Sequence, residues 1–211
     1  MSYESLTIRH LGMRDYTQVW RAMLDFTTQR TTGSDSEIWI VEHPPVFTQG
    51  QAGKPEHLLD GGEIPVVHSD RGGQITYHGP GQLLCYLLLD LQQIDMGIRS
   101  LVNNIEEAII QLLNEQGITA TRQPGAPGVY VDAAKIAAIG LRVKKHCTYH
   151  GLSLNVNMDL QPFKRINPCG YPGLAVTDMA SLGVNTDVLS VADKLTAELA
   201  AILGYNLMDI S

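Results

Sequence analysis

The sequence predicts an α+β domain, a mostly antiparallel sheet with helices packed on one face. Three observations carry this. Strand-like segments outnumber helical ones. The two long stretches with helical periodicity stand on either side of a strand-rich middle. In that middle three strand-like pieces follow one another through short turns, as antiparallel neighbours do.

The elements follow in order. Leu6, Ile8 and His10 alternate in a first short strand. Tyr16, Val19, Trp20, Met23 and Leu24 recur at helical spacing, so residues 14 to about 30 read as an amphipathic helix. A polar linker, 31–36, leads to a strand at 37–42 that Pro44 and Pro45 stop. Residues 50–62 are loop-like, with a short helix around 55–59, and 64–67 form a brief strand. The apolar run 83–91 suits a strand buried on both faces. Ser100 is a suitable N-cap for the next helix. Leu101, Ile105, Ala108, Ile109, Leu112 and Leu113 are its inner stripe, and Gly117 follows its end. The three central strands lie at 128–131, 135–143 and 147–156, with Asp132 and Ala133 turning the first into the second. A helical turn or two is expected within 159–166. Ser190 and Asp193 resemble a capping box for a last helix ending near Gly204.

With 211 residues, 44% of them apolar and 18% charged, a single domain spanning 1–211 is expected. The net charge of −7 disfavours nucleic acid as a partner. No apolar run reaches membrane-spanning length, and the first residues lack the basic and apolar regions of a signal peptide. Cys85, Cys147 and Cys169 form neither an even set nor a C-x-x-C, which points to a reducing cytoplasm.

The stretch 71–82, Arg-Gly-Gly-Gln-Ile-Thr-Tyr-His-Gly-Pro-Gly-Gln, joins glycine turns to a short alternating segment. Glycines let backbone approach a ligand closely, and the polar side chains between them suit a cavity wall; two turns flanking a hairpin strand would look the same. Neither a P-loop nor a G-x-G-x-x-G is present. Cys169 sits between proline and glycine, so its sulfur is either a reactive thiol beside free amides or a turn residue without a role. A reactive thiol needs a cation nearby. Lys135, alone in a small, apolar stretch, is either that cation or a lysine snorkelling to water. His146, Cys147 and His150 lack a shared face and a fourth ligand, so no metal is expected. His78 is either a cavity donor or satisfied by its own turn. Arg142, Lys144, Lys145 and His146 read as a solvated edge guarded by charge, or, for Arg142, Lys144 and Lys145 together with Lys164 and Arg165, as a landing patch for an acidic protein partner.

Assembled, these stretches resemble the lipoyl(octanoyl) transferases, which share the fold of biotin and lipoate ligases. The most specific parts are 71–82, Gly128-Val-Tyr-Val with Lys135-Ile-Ala, Tyr149-His-Gly-Leu-Ser-Leu-Asn-Val-Asn, and Phe163 through Pro168-Cys-Gly. Leu87 stands where relatives often carry proline. The resemblance implies a ligase- or transferase-like core over about 32–207, with Cys169 as the acyl-accepting nucleophile and Lys135 as its activating partner. It implies an acyl pocket lined by Arg71, Gly72, Gly73, Gln74, Ile75, Thr76, Tyr77 and His78, by Ala138, Ile139 and Gly140, and by Gly151, Leu152 and Ser153. The expected donor is octanoyl-bearing acyl carrier protein. The expected acceptors are lysines of lipoyl domains, in 2-oxoacid dehydrogenases and the glycine cleavage H protein. The enzyme is expected to work as a monomer with no cofactor, metal, nucleic acid or membrane. Backbone amides at Cys169 and Gly170 are the expected oxyanion donors. The rivals are an ATP-dependent lipoate ligase, a cysteine hydrolase using Cys169 with His78 or His150, and a non-catalytic binder of acyl carrier protein.

Overall fold

The computed structural model describes residues 4–31 and 33–208. The outermost residues of the expected domain, 1–3 and 209–211, and Thr32 of the expected linker lie outside them. In chain order the elements are β1 (Glu4–Met13), α1 (Tyr16–Gln29), β2 (Ser36–Glu42), β3 (Val46–Gln49), β4 (Val66–His68), β5 (Ile75–His78), β6 (Gln82–Leu88), α2 (Ile98–Glu115), β7 (Thr121–Arg122), β8 (Val129–Val131), β9 (Ala134–Lys144), β10 (Cys147–Asn155), α3 (Val188–Leu203) and β11 (Tyr205–Met208). An 8-stranded sheet runs β11-β1-β2-β6-β10-β9-β8-β7, and a 3-stranded sheet runs β4-β3-β5. The large sheet is parallel where β1 meets β11 and β2, and antiparallel at its other junctions. The α+β class with a mostly antiparallel sheet therefore stands.

The helices occupy both faces of that sheet. Strands β2 and β6 are apolar at successive positions, and successive side chains point to opposite faces. Ile38, Ile40, Leu83, Cys85 and Leu87 pack with α2 and α3. Trp39, Val41, Leu84, Tyr86 and Leu88 need a second cover, and Val19 and Met23 of α1 supply it. Packing on one face thus describes α2 and α3, while α1 departs from it.

Helix ends differ from the expected caps at two places. Gly97, not Ser100, is the N-cap of α2, so Ser100 falls inside the first turn. Asp187 caps α3 by accepting from the Ser190 amide at 2.9 Å. The pair Ser190 and Asp193 is thus one turn out of phase. At the C-termini the expectation holds: Gly117 and Gly204 adopt φ of 79° and 74°, where a side chain would strain the backbone.

The small sheet lies beside the large one and carries the glycine stretch onto it. The Gly72 amide donates to the Leu141 carbonyl on β9 at 3.2 Å. A Cβ on Gly140 would stand 3.1 Å from the Gly72 carbonyl, so a glycine there lets loop and strand approach. The space between loop 71–74, β9 and β10 is a cavity, the larger of two beside Cys169.

Candidate active site

Cys169 is the middle residue of a 3-10 turn, Pro168–Gly170, with φ of 56°. Non-glycine residues rarely adopt that left-handed backbone, and it aims the side chain out of the turn. The turn is anchored on both sides. The Asn167 amide donates to the His57 carbonyl at 2.8 Å, and the Tyr171 amide to the Pro168 carbonyl at 3.0 Å. Of the two expected oxyanion donors, the Gly170 amide is committed to the Asn167 carbonyl at 2.9 Å, while the Cys169 amide bonds to no protein group among the described residues.

Lys135 enters from β9. Its backbone amide donates to the Ala175 carbonyl at 2.8 Å, and the Thr177 amide donates to its carbonyl at 3.0 Å. This tie lays the segment after Cys169 along β9 and brings together residues 34 apart in sequence. The lysine is 5% exposed. Its Nζ donates to Cys169 Sγ at 3.2 Å and to the Pro127 carbonyl at 3.0 Å, and lies 5.0 Å from the centre of the Tyr130 ring. Burial pulls the lysine pKa down, but the facing Cys169 sulfur and Tyr130 outweigh it, and the net shift is upward. The ammonium is therefore held charged by the sulfur it faces.

Both residues line a cavity of about 310 Å³. That is near the lower end of small-molecule sites, roughly 300–1,000 Å³. Arg71, Gly72, Gly73, Gln74, Ile75, Thr76, His78, Ala138, Ile139, Gly140, Gly151, Leu152 and Ser153 all line it. Tyr77 does not. On β5 it points opposite to Thr76 and His78, and its ring packs 5.6 Å from Phe47 and 5.5 Å from Phe163. Sequence reasoning missed Tyr16, Leu84, Tyr86, Ile98, Val102, Leu141 and Tyr171 on the wall, and Pro127 and Tyr130 around the lysine. Tyr130 lay inside a quoted motif; a backbone carbonyl such as that of Pro127 leaves no residue-type signal.

Behind the wall lies a polar network whose proton positions follow from its partners. Arg71 is buried and among the described residues has no carboxylate partner. It donates instead to the Thr48 hydroxyl at 2.9 Å, to the carbonyls of Gly72 at 2.8 Å and Gln74 at 2.7 Å, and to the Thr48 carbonyl. The Thr48 hydroxyl then donates to His78 Nε2 at 3.1 Å, and His78 Nδ1 donates to Gln82 Oε1 at 2.7 Å. His43 Nδ1 donates to the Arg14 carbonyl at 2.6 Å and its Nε2 accepts from Tyr86 at 2.7 Å. Burial holds His78, His43 and His150 below the ordinary imidazole value, with the neighbouring His43 and Arg71 lowering His78 further. His78 is thus a satisfied residue, and His150 bonds Asp70. Among the described residues neither histidine hydrogen-bonds Cys169, so the arrangement does not favour a cysteine–histidine pair.

A scan against family models matches residues 15–200 to the lipoyl protein ligase A/B catalytic domain. The chain is 62% identical over 192 residues to an octanoyltransferase of Chromobacterium violaceum, covering 91% of this chain and 93% of that one. It is 55% identical over 205 residues to an octanoyltransferase of Shewanella frigidimarina, covering 97% and 95%. Among solved structures, a bipartite lipoate protein ligase from Thermoplasma acidophilum superposes with a TM-score of 0.79 at 17% identity, over 99% of this chain and 87% of that one. At that identity the likeness speaks for the fold alone.

Proposed function

The chain belongs to the lipoyl protein ligase A/B catalytic domain family, and on that premise we propose that it is an acyltransferase moving octanoyl groups in protein lipoylation. The donor is octanoyl-acyl carrier protein and the acceptor is a lysine amine of a lipoyl domain. The acyl group passes through a thioester on Cys169. The chain acts as one catalytic domain and as a monomer. Its three free cysteines support a reducing compartment, the cytoplasm. Among the described residues no helix is long and apolar enough to cross a membrane.

The observation that carries this reading is the 3.2 Å contact between Lys135 Nζ and Cys169 Sγ in the wall of an acyl-sized cavity. The ammonium donates to the sulfur, which supports Lys135 as the activating partner of Cys169. Thiolate attack on the carrier thioester exchanges one thioester for another, so no ATP is needed. Once Cys169 is acylated, its upward pull on Lys135 disappears while burial still lowers the lysine pKa. Lys135 then releases its proton more readily and accepts one from the incoming amine. Ile139, Leu152 and the small Ala138 and Gly140 give the alkyl chain an apolar wall.

The test is intact-mass analysis after mixing the protein with octanoyl-acyl carrier protein, without ATP, before and after lipoyl domain is added. An octanoyl adduct on Cys169 that moves to the lipoyl domain is the expected result. Turnover that requires ATP would establish the ligase reading instead. Free octanoate as the sole product would establish a hydrolase. No covalent mass at all would leave a binding protein.

A further inference from the structure

A second, much smaller recess opens beside Cys169 and Lys135. It encloses about 10 Å³, roughly the space of one water-sized atom. Thr76, Ser153, Gln82 and Asn155 are the other polar residues of its wall, which Ala138 and further apolar side chains complete. Thr76, Ser153, Ala138, Lys135 and Cys169 also line the larger cavity, so the two spaces meet at the sulfur.

The hydrogen-bonding state of this wall is uneven. Gln82 Nε2 donates to Asn155 Oδ1 at 2.9 Å and to the Tyr77 carbonyl at 3.2 Å, and Asn155 Nδ2 donates to the Thr177 carbonyl at 2.9 Å. The hydroxyls of Thr76 and Ser153 bond to no protein group among the described residues, although the residues are only 8% and 6% exposed. Neither oxygen is sealed off without a partner, in contrast to Arg30 Nε and His150 Nδ1. They remain open to the space they line. The buried hydroxyls of Thr27, Ser36, Thr48, Ser69, Thr148 and Thr196 all have partners, and Thr7, on the outer strand β1, is the other buried residue whose hydroxyl bonds to no protein group among the described residues. Burying a hydroxyl without one costs free energy, so two together beside a nucleophile point to a ligand atom that supplies it.

We propose that this recess is the oxyanion site of the transfer reaction, with Thr76 Oγ1 as its principal donor and Ser153 Oγ as the second. The inference rests on the acyl-transfer reading above. As the Cys169 sulfur bonds to the thioester carbon, the carbonyl π pair moves onto oxygen, and that oxygen sits in the recess and accepts from the two hydroxyls. Collapse restores the carbonyl and breaks the bond to the carrier sulfur, which leaves as a thiolate and takes the proton of the Lys135 ammonium. The same donors serve the second tetrahedral intermediate, formed when the lipoyl amine attacks. The Gly170 and Tyr171 amides are committed to Asn167 and Pro168, which leaves the Cys169 amide as the backbone donor of that turn that can join the two hydroxyls. Both hydroxyls are positioned by regular strands, Thr76 on β5 and Ser153 on β10, which suits donors that must not reorganise during reaction.

Thr76→Val keeps the shape and removes the hydroxyl. Single-turnover acylation by octanoyl-acyl carrier protein, followed by rapid quench and intact mass, should slow about 100-fold, the usual effect of losing one oxyanion donor. The change should fall on the rate and not on the carrier concentration giving half-maximal rate. Alkylation of Cys169 by iodoacetamide forms no oxyanion, so it should stay within about twofold of wild type; Thr76→Ser should recover most of the acylation rate. Ser153→Ala should show a smaller loss. Acylation of folded Thr76→Val at the wild-type rate, or an equal fall in alkylation, overturns the assignment. Should Thr76→Val not fold, Thr76→Ala and Ser153→Ala carry the same expectations, and wild-type acylation by both overturns it too. Failure of wild-type protein to form any acyl-enzyme would instead refute the underlying acyl-transfer reading.

Discussion

His150 and Asp70 are joined by a 2.9 Å hydrogen bond from Nε2 to Oδ1, and the bond links a neutral imidazole to a carboxylate. Burial lowers the His150 pKa more than Asp70 raises it. Asp70 in turn is held well below the ordinary carboxylate range: burial opposes this, but bonds from His150, Tyr149 and Trp20 prevail. The left-handed backbone at His150, φ of 59°, lets His150 and its neighbour Tyr149 reach the same carboxylate from adjacent strand positions.

This arrangement sets an acid limit on stability. Folding holds His43, His78 and His150 below their unfolded value of 6.5, so the unfolded chain takes up those protons first. Their stabilising contribution is complete above pH 6.5 and falls as pH drops through and below it. Each such histidine contributes a slope of at most about 1.4 kcal/mol per pH unit. Urea midpoints measured from pH 8 to pH 5 should be flat at first and then fall. A midpoint unchanged down to pH 5 would mean that these imidazoles accept protons in the folded state.

Lys135→Ala separates the two roles of the lysine. Alkylation of Cys169 at neutral pH should slow at least about tenfold and recover at alkaline pH. A pre-formed acyl-enzyme of this variant should persist when lipoyl domain is added. Discharge at the wild-type rate would confine Lys135 to the first step. An unchanged alkylation profile would uncouple the pair altogether.

Ile139→Phe enlarges a side chain on the cavity wall, between Ala138 and Gly140. The ratio of kcat/KM for hexanoyl over octanoyl carrier should rise about tenfold, the scale of losing room for one or two methylenes. A folded variant with the wild-type chain-length profile would place the acyl chain elsewhere.

Charge reversal should discriminate between two basic regions. Arg142 and Lys144 lie at the far end of β9 from Lys135, and Lys144 is nine residues along the strand. At about 3.3 Å per residue that is roughly 30 Å for Lys144 and roughly 23 Å for Arg142, a long reach for a carrier docked there to bring its acyl group to Cys169. Arg142 bonds Gln51 and Lys144 bonds Thr28 at 3.1 Å, as befits a charged strand end. Lys164, exposed on the 3-10 turn Gln161–Arg165, is close to Cys169 in sequence. Lys164→Glu should raise KM for the acidic carrier several-fold at low salt, less at high salt, while Arg142→Glu with Lys144→Glu leaves it unchanged. The reverse pattern would move the landing surface to the β9–β10 turn.

Much of the scaffold was legible because its periodicity is local. The stripes of α1 and α2 and the strands at β2, β6 and β8 to β10 all follow from spacing. Three strands were not. Val46 to Gln49 follows a proline pair that reads as a stop, yet β3 begins directly after it. β7 is two residues long, and β11 is a strand only because β1 lies beside it. The missed caps have different causes: Asp187 is one of several polar residues before α3, whereas Gly97, the cap of α2, has no side chain to signal it. At the site, Cys169 and Lys135 stood out by their unusual settings, and the fold brings them within 3.2 Å of each other. The wall supplied by α1 and α2 was not, since its residues look like any helix face until the tertiary structure turns them inward.

The pairing of β1 with β11 joins Glu4 to Tyr205, almost the full chain apart. On the ribosome, β1 can lie against β2 early, but its other edge must wait until the last helix has been made. Until then the first four residues of that strand, Glu4 to Thr7, present unpaired amides and carbonyls to every neighbouring nascent chain. Late closure of so distant a pair slows folding and prolongs that exposure. A chain shortened before Tyr205 would keep Cys169, Lys135 and the cavity wall in its sequence, and would be expected to accumulate as aggregate rather than as inactive enzyme.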